Sequence, residues 1–306
     1  MDKQIERIMK ITKKTEKRKL SRAVIIKTIK EYAKMIGVVF LITSSLIQGS
    51  RVPTGSMETT IMVGDWLMTN KLAYELTTPR NILFTDIELP HVTLLKWGDP
   101  KPNDIVVFQF PGMRDQIKDT VIQNYVKRCV ATPGDTVKII DRVLYVNGKE
   151  FQRPPHIQYL KNFSLPEGYA EPEIFPKGET WSGDNYGPLV VPKKGDLIHL
   201  TMENIEQWKI FIDREYLKDV VLVTNGKIFV DGKETTDYKV QDDYYFMIGD
   251  NRDNSLDCRY WGFVPRRNVV GKPLFVYWSW NSDIPFSDFF NLVSSIRLER
   301  IGKFVR

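Results

Sequence analysis

Any hydrolytic chemistry in this chain has to work without histidine. His91, His156 and His199 have no partners that suggest a triad, and each reads as an ordinary surface or loop residue. No GxSxG elbow, SxxK, HExxH or GxxxxGK occurs. Ser56, in Thr-Gly-Ser-Met, is the first candidate nucleophile, because Gly55 before it lets the backbone bend so that hydroxyl and amide face one point. Taken alone, the tetrapeptide reads as a plain serine turn. Lys127, in YVKRCVATPGD, is the second candidate. Strand alternation puts Tyr125, Lys127 and Cys129 on one face and Val126, Arg128 and Val130 on the other. Such a lysine is ordinarily an edge charge. To act as a base it must shed its proton, and full burial lowers an ordinary lysine pKa of ~10.4 by several units. A Ser–Lys pair is an accepted way of activating a hydroxyl.

A third segment, GDNRDNSLDCRYWGFVP from Gly249 to Pro265, crowds Asp250, Arg252, Asp253, Asp257 and Arg259 into ten positions. A calcium loop is the rival reading. It fails on Arg252, which takes a position that needs an oxygen ligand, and on Ser255, which takes the place of the loop glycine. No CxxC or His-rich spacing suggests a metal, and nothing points to an organic cofactor. Cys129 and Cys258 fit one bridge or two free buried thiols equally well.

The elements that position these residues are mostly β. Strands are expected at Asp65–Tyr74, Asp104–Phe110, Val121–Val130 and Thr136–Val146, with a hairpin at Val220–Val230 and turns at Asn-Gly and Asp-Gly. A Pro- and Thr-rich loop is expected from Glu75 to Pro102, a helix around Met202–Glu215, and an amphipathic stretch at Phe286–Val305. Residues 1–34 hold 12 Lys/Arg against 4 Asp/Glu, leaving 32 against 34 for the rest of a chain whose formal charge is +6. A basic tail can touch nucleic acid, but this one is followed directly by MIGVVFLITSSLI, Met35 to Ile47. A basic block before an apolar block keeps the tail cytoplasmic and sends the downstream chain across the membrane. The run is shorter than the ~20 residues of a typical span, so Lys30 and Lys34 would have to snorkel. The basic region is too long for a cleaved signal, and no small-x-small site precedes Arg51.

In this order, PTGSMETTIMVGDWLMTNKLAY (Pro53 to Tyr74), PNDIVVF (Pro102 to Phe108), YVKRCVATPGDTV (Tyr125 to Val137) and GDNRDNSLDCRYWGFVP (Gly249 to Pro265) resemble the motifs of type I bacterial signal peptidases, peptidase family S26. The resemblance implies Ser56 as nucleophile and Lys127 as general base, with Ser255 orienting the lysine. It places Asp257–Arg259 and Arg128–Asp250 on ion pairs that shape the site. It puts the oxyanion hole at the Ser56 N–H and the Thr54 hydroxyl, where many members carry serine. It implies no cofactor and no metal. The substrates are preprotein signal peptides, bound as an extended strand and cut after small residues at −1 and −3.

The implied fold is an antiparallel β catalytic core with an inserted second β-rich domain and an N-terminal transmembrane helix. The implied divisions are a cytoplasmic tail (1–34), an anchor (35–50), a first core segment (51–148), an insertion (149–240), a second core segment (241–282) and an amphipathic tail (283–306). The implied place is the bacterial inner membrane, single-pass, with the catalytic part on the outer face and no nucleic-acid partner. Met57, Trp66, Tyr260 and Trp261 read either as a rim dipping into lipid or as core. Two rivals are weaker. A self-cleaving repressor needs a helix-turn-helix that residues 1–50 do not offer, and an inert membrane-tethered binder leaves Ser56, Lys127 and Ser255 without purpose.

Overall fold

Three hairpins are set by local sequence. Asn147-Gly148, Asn225-Gly226 and Asp231-Gly232 all have positive φ, the geometry that two-residue hairpin turns require. They join Val143–Val146 to Lys149–Glu150, Val221–Thr224 to Lys227–Val230, and the latter to Lys233–Glu234. These elements come from a computed structural model, which describes residues 22–78 and 92–305. Residues 1–21 of the basic segment, the 79–91 part of the expected loop with His91, and Arg306 lie outside the described residues.

The site is carried by a seven-stranded antiparallel sheet. Its order is Ile47–Arg51, Asp65–Asn70, Val269–Ser279, Ile105–Gln109, Asn124–Ala131, Tyr244–Ile248 and Val264–Pro265. In DWLMTN, alternate residues Asp65, Leu67 and Thr69 are buried. The unbroken apolar run Ile105–Phe108 is buried on both faces. The lysine-bearing strand Asn124–Ala131 pairs from Asn124 to Arg128 with Ile105–Gln109 on one side. On the other side, Tyr244–Ile248 covers only Arg128 to Ala131.

A second sheet pairs Tyr186–Val190, Thr136–Ile140, Val143–Val146 and Lys149–Glu150. The strands before Gly148 thus share a sheet with strands from the 149–240 segment. One apolar core runs through both sheets, from Val106, Phe108 and Trp261 to Ile139, Phe211 and Tyr238. The expected helix runs over Ile205–Tyr216.

Three expectations shift. Glu75–Thr77 pairs with Thr93–Lys96, so short strands stand where Pro and Thr suggested only loop. The N-terminal helix spans Arg22–Ser45, and Ile47–Arg51 is a strand, so the end of the apolar segment 35–50 pairs with Asp65–Asn70 instead of extending the helix. That helix starts inside the basic segment, and Lys27, Lys30, Glu31 and Lys34 interrupt its apolar character. No helix among the described residues is long and apolar enough to cross a membrane. The C-terminal stretch, expected to be amphipathic, is a short helix Phe289–Ser294 and a 3-10 turn Leu298–Arg300 docked back on the sheet.

Candidate active site

Ser56 lies in the turn between the first two strands of the main sheet. The neck of this turn is closed by Val52 N–H to Asp65 O at 2.9 Å and Gly64 N–H to Val52 O at 3.0 Å. Buried Asp65 fixes its far end, accepting from Met62 N–H at 2.9 Å, Ser279 Oγ at 2.7 Å and Arg300 Nε at 2.8 Å. The middle is tied to Gly249–Asn251: Asn251 N–H donates to Ser56 O at 3.1 Å and Asn251 Nδ2 to Gly55 O at 3.0 Å. Thr60 Oγ1 donates to Asp250 Oδ2 at 2.6 Å. Ser56 is therefore held on both sides while its own N–H meets no acceptor among the described residues.

Lys127 reaches this serine from the middle of its strand. The amine donates to Ser56 Oγ, 71 residues away in sequence, and the lysine is only 3% exposed. Burial pulls its pKa down from 10.5 to about 8. Desolvation disfavours the cation, and of the nearby charges Asp257 and Asp250 oppose that effect while Arg259 adds to it. The Tyr125 ring centroid stands 5.6 Å from the amine. A buried amine with this pKa, in hydrogen-bond contact with a hydroxyl, can take that hydroxyl's proton near neutral pH.

Two buried ion pairs frame the couple. Arg128 grips Asp250 with Nε–Oδ1 at 2.8 Å and Nη2–Oδ2 at 2.7 Å, and its third arm donates to Asn103 O at 2.9 Å. Arg259 grips Asp257 with both contacts at 2.9 Å and also donates to Arg252 O at 2.8 Å. Burial alone would raise the Asp257 pKa, but the Arg259 guanidinium outweighs it and holds the carboxyl below its usual range. Asp257 also caps the short helix Cys258–Trp261, accepting from Arg259 N–H at 3.2 Å. Ser255 is buried beside these groups; its hydroxyl lies in the field of Asp257 and completes no hydrogen bond among the described residues.

Gly249 stands where these threads meet. A Cβ there would lie 2.2 Å from Ser255 Oγ and 2.4 Å from Ser56 O, contacts real atoms do not make. Gly249→Ala is expected to destabilise the fold by ~1–3 kcal/mol, as overpacking does, and to displace the Ser56 turn. A denaturant midpoint equal to that of the parent protein would contradict this.

Of the residues singled out by sequence, Ser56, Lys127, Ser255, Asp257, Arg259, Arg128 and Asp250 are buried together, while Thr54 is exposed two residues before Ser56. Met57 and Trp261 are core, with Met57 Sδ accepting from Asp250 N–H at 3.4 Å; Trp66 and Tyr260 are half-buried. Cys129 and Cys258 are free buried thiols. His156 contributes only its carbonyl, to Thr59, and His199 pairs with Asp237 at the surface. No cluster of three or more His, Cys, Asp or Glu suited to a metal occurs among the described residues. Sequence reasoning missed Thr60, Asn251 and Arg300. Asn251 was within reach of it, lying inside the GDN motif; Arg300 carried no local signal.

The chain is similar in sequence to known proteins. The model of the family described as signal peptidase, peptidase S26, matches residues 25–278. A signal peptidase I from Pseudomonas aeruginosa is 30% identical over 262 residues, 82% of this chain and 72% of that protein. One from Haemophilus influenzae is 29% identical over 292 residues, 85% of this chain and 73% of that protein. A solved signal peptidase I from Enterococcus faecalis aligns with 57% of this chain and 96% of its own at 22% identity, with a TM-score of 0.25, too weak a likeness to argue from.

Proposed function

This chain belongs to the signal peptidase family, peptidase S26, and from that premise we propose that it is a membrane-bound serine endopeptidase that removes N-terminal signal peptides from exported preproteins, with Ser56 as nucleophile and Lys127 as general base. The observation that carries this reading is the buried contact between the Lys127 amine and the Ser56 hydroxyl, in a pocket that lowers the lysine pKa to about 8.

Neutral Lys127 accepts the Ser56 proton as Oγ attacks the scissile carbonyl. The carbonyl oxygen becomes an oxyanion received by the Ser56 N–H, which has no other acceptor among the described residues, and by the Thr54 hydroxyl, exposed where substrate arrives. The lysine, now charged, gives its proton to the leaving amine. Water then attacks the acyl-serine, Lys127 takes its proton, and Ser56 is restored. Ser255 orients the lysine, its buried hydroxyl lying beside Asp257 without a full hydrogen bond among the described residues. Arg128–Asp250 and Asp257–Arg259 hold the walls.

The substrate enters as an extended strand. Among the described residues, the lysine strand from Asn124 to Lys127 has a partner on one side only, and that open edge leads directly to the base. The rim that meets lipid comprises Trp66 and Tyr260. What supports the membrane reading is that the N-terminal helix leaves Ile25, Ile29, Tyr32, Ile36 and Val38 exposed; its charges keep it from being a span by itself, so Lys30 and Lys34 must snorkel. In this reading the tail stays on the cytoplasmic side of the bacterial inner membrane and the catalytic part lies on the outer face.

The test is the pH dependence of kcat/KM on a preprotein with an Ala-x-Ala cleavage site. The value is expected to rise tenfold per unit through pH 6–7 and to level off above about 8, as Lys127 loses its proton. A profile flat from pH 6 to 9 contradicts lysine as the base.

A further inference from the structure

Arg252 is a buried cation with nothing to hold. It is 5% exposed, its Nε is buried without a partner, and its guanidinium makes no hydrogen bond or ion pair with any described residue. Its main chain is well engaged: the N–H donates to Gln158 O at 3.0 Å and the carbonyl accepts from Arg259 at 2.8 Å, so its place is fixed by the fold. Burial depresses its pKa and nearby Arg259 adds to that effect; Tyr159, Asp257 and Asp250 oppose it without reversing it. A buried charge with no direct partner is among the most destabilising arrangements a protein can keep. It persists where a ligand supplies the missing charge.

The guanidinium lines a cavity of about 100 Å³ together with Arg142, Arg153 and Tyr159. That is several times the ~10–15 Å³ needed for a single water. Arg142 and Arg153 both lie over the Tyr159 ring, 4.7 and 5.6 Å from its centroid. Arg142 is neutralised by Asp184 at 3.1 Å and Asp253 at 3.8 Å, and it also donates to Lys161 O at 2.9 Å and to Phe163 O. Arg153 is exposed and reaches only Ile157 O, at 3.4 Å. Among the described residues, the carboxylate lining the cavity is exposed Glu150. Three guanidiniums thus border one small space; Arg142 has its carboxylates, while Arg252 and Arg153 form no ion pair among the described residues. Their planar forks suit the oxygens of a tetrahedral anion.

We propose that this cavity, beside the catalytic turn but separate from Ser56 and Lys127, is a binding site for a phosphate-class oxyanion, with Arg252 as its buried anchor and Arg153 as its outer arm. The same chemistry is offered by free phosphate and by the phosphodiester of a lipid headgroup.

Binding is tested on the full-length protein in neutral detergent, by calorimetry and thermal unfolding, with two probes: inorganic phosphate and a soluble short-chain phosphatidylglycerol. Sodium chloride at matched ionic strength is the control. A saturable response beyond the chloride control is expected from at least one probe. Arg153→Gln, on the surface, is expected to weaken it by about tenfold or more, and Arg252→Gln to remove it. Tighter binding of the lipid identifies a headgroup site, and response to inorganic phosphate alone identifies a free-anion site; both support the proposal. No saturable response to either probe overturns it, as does an Arg153→Gln protein that binds like the parent, an outcome that does not depend on whether Arg252→Gln folds.

Discussion

Ser56→Ala is expected to lower kcat for preprotein cleavage by roughly 10⁴–10⁶-fold, and Lys127→Met by a similar factor, with the double variant no worse than either. The reason is that the two act as a unit: without the amine the hydroxyl keeps its proton, and without the hydroxyl the amine has nothing to activate. Lys127→Arg should fail as well, because a guanidinium stays charged at any working pH. Stability separates loss of chemistry from loss of fold. The folded-state pKa of Lys127 is about 8 against an ordinary 10.5, so the fold disfavours the charged lysine. That penalty is fully present below pH 8 and disappears as pH rises from 8 toward 10.5. At about 1.4 kcal/mol per unit it comes to roughly 3 kcal/mol at pH 7. Lys127→Met should therefore be inactive yet more stable than the parent at neutral pH, with the difference closing at pH 10. An inactive variant that is also less stable at pH 7 would contradict the buried-amine account.

Breaking either framing ion pair from one side is expected to cost about 3–5 kcal/mol, because it strands an unpaired charge in the interior. Arg128→Ala leaves Asp250, which is fully buried, with Thr60 as its main remaining partner. Asp257→Ala leaves Arg259 with the carbonyls of Gly183 and Arg252 and the Tyr260 ring, whose centroid is 5.5 Å away, and it removes the cap of the Cys258–Trp261 helix. Urea or guanidinium midpoints measure both. The double replacement Arg128→Met with Asp250→Leu should cost less than the worse single variant, since it leaves no orphan charge. A surface-like loss below ~1 kcal/mol for Arg128→Ala would show that the pair is solvated.

The pieces legible in the sequence were those with local chemical signatures. Asn147-Gly148, Asn225-Gly226 and Asp231-Gly232 mark their hairpins because only a few residues tolerate positive φ. The unbroken run Ile105–Phe108 marks a strand buried on both faces. Ser56, Lys127 and the acidic–basic crowd of Gly249–Arg259 stood out through residue types that rarely sit together without reason, and these are the residues that the structure brings into one buried cluster. What stayed hidden depends on distant pairing. Glu75–Thr77 and Thr93–Lys96 are too short and polar to announce themselves, and exist because they pair with each other. Ile47–Arg51 reads as the end of an apolar run until Asp65–Asn70 gives it a partner. Arg300 supports the Ser56 turn from 235 residues beyond Asp65, a distance no spacing rule covers. Arg252 looked like one more charge in a polar loop until its burial showed an Nε with no hydrogen-bond partner among the described residues.

The protonation state of one amine decides the matter most directly. With lysines labelled with carbon-13 at Cε, the Lys127 resonance, assigned by its loss in Lys127→Met, can be followed from pH 6 to 11 in the full-length protein. The buried Ser56–Lys127 contact predicts a midpoint near 8. A midpoint near 10.5, the value of a solvated lysine, would mean that the amine is charged wherever the enzyme works and cannot be the base.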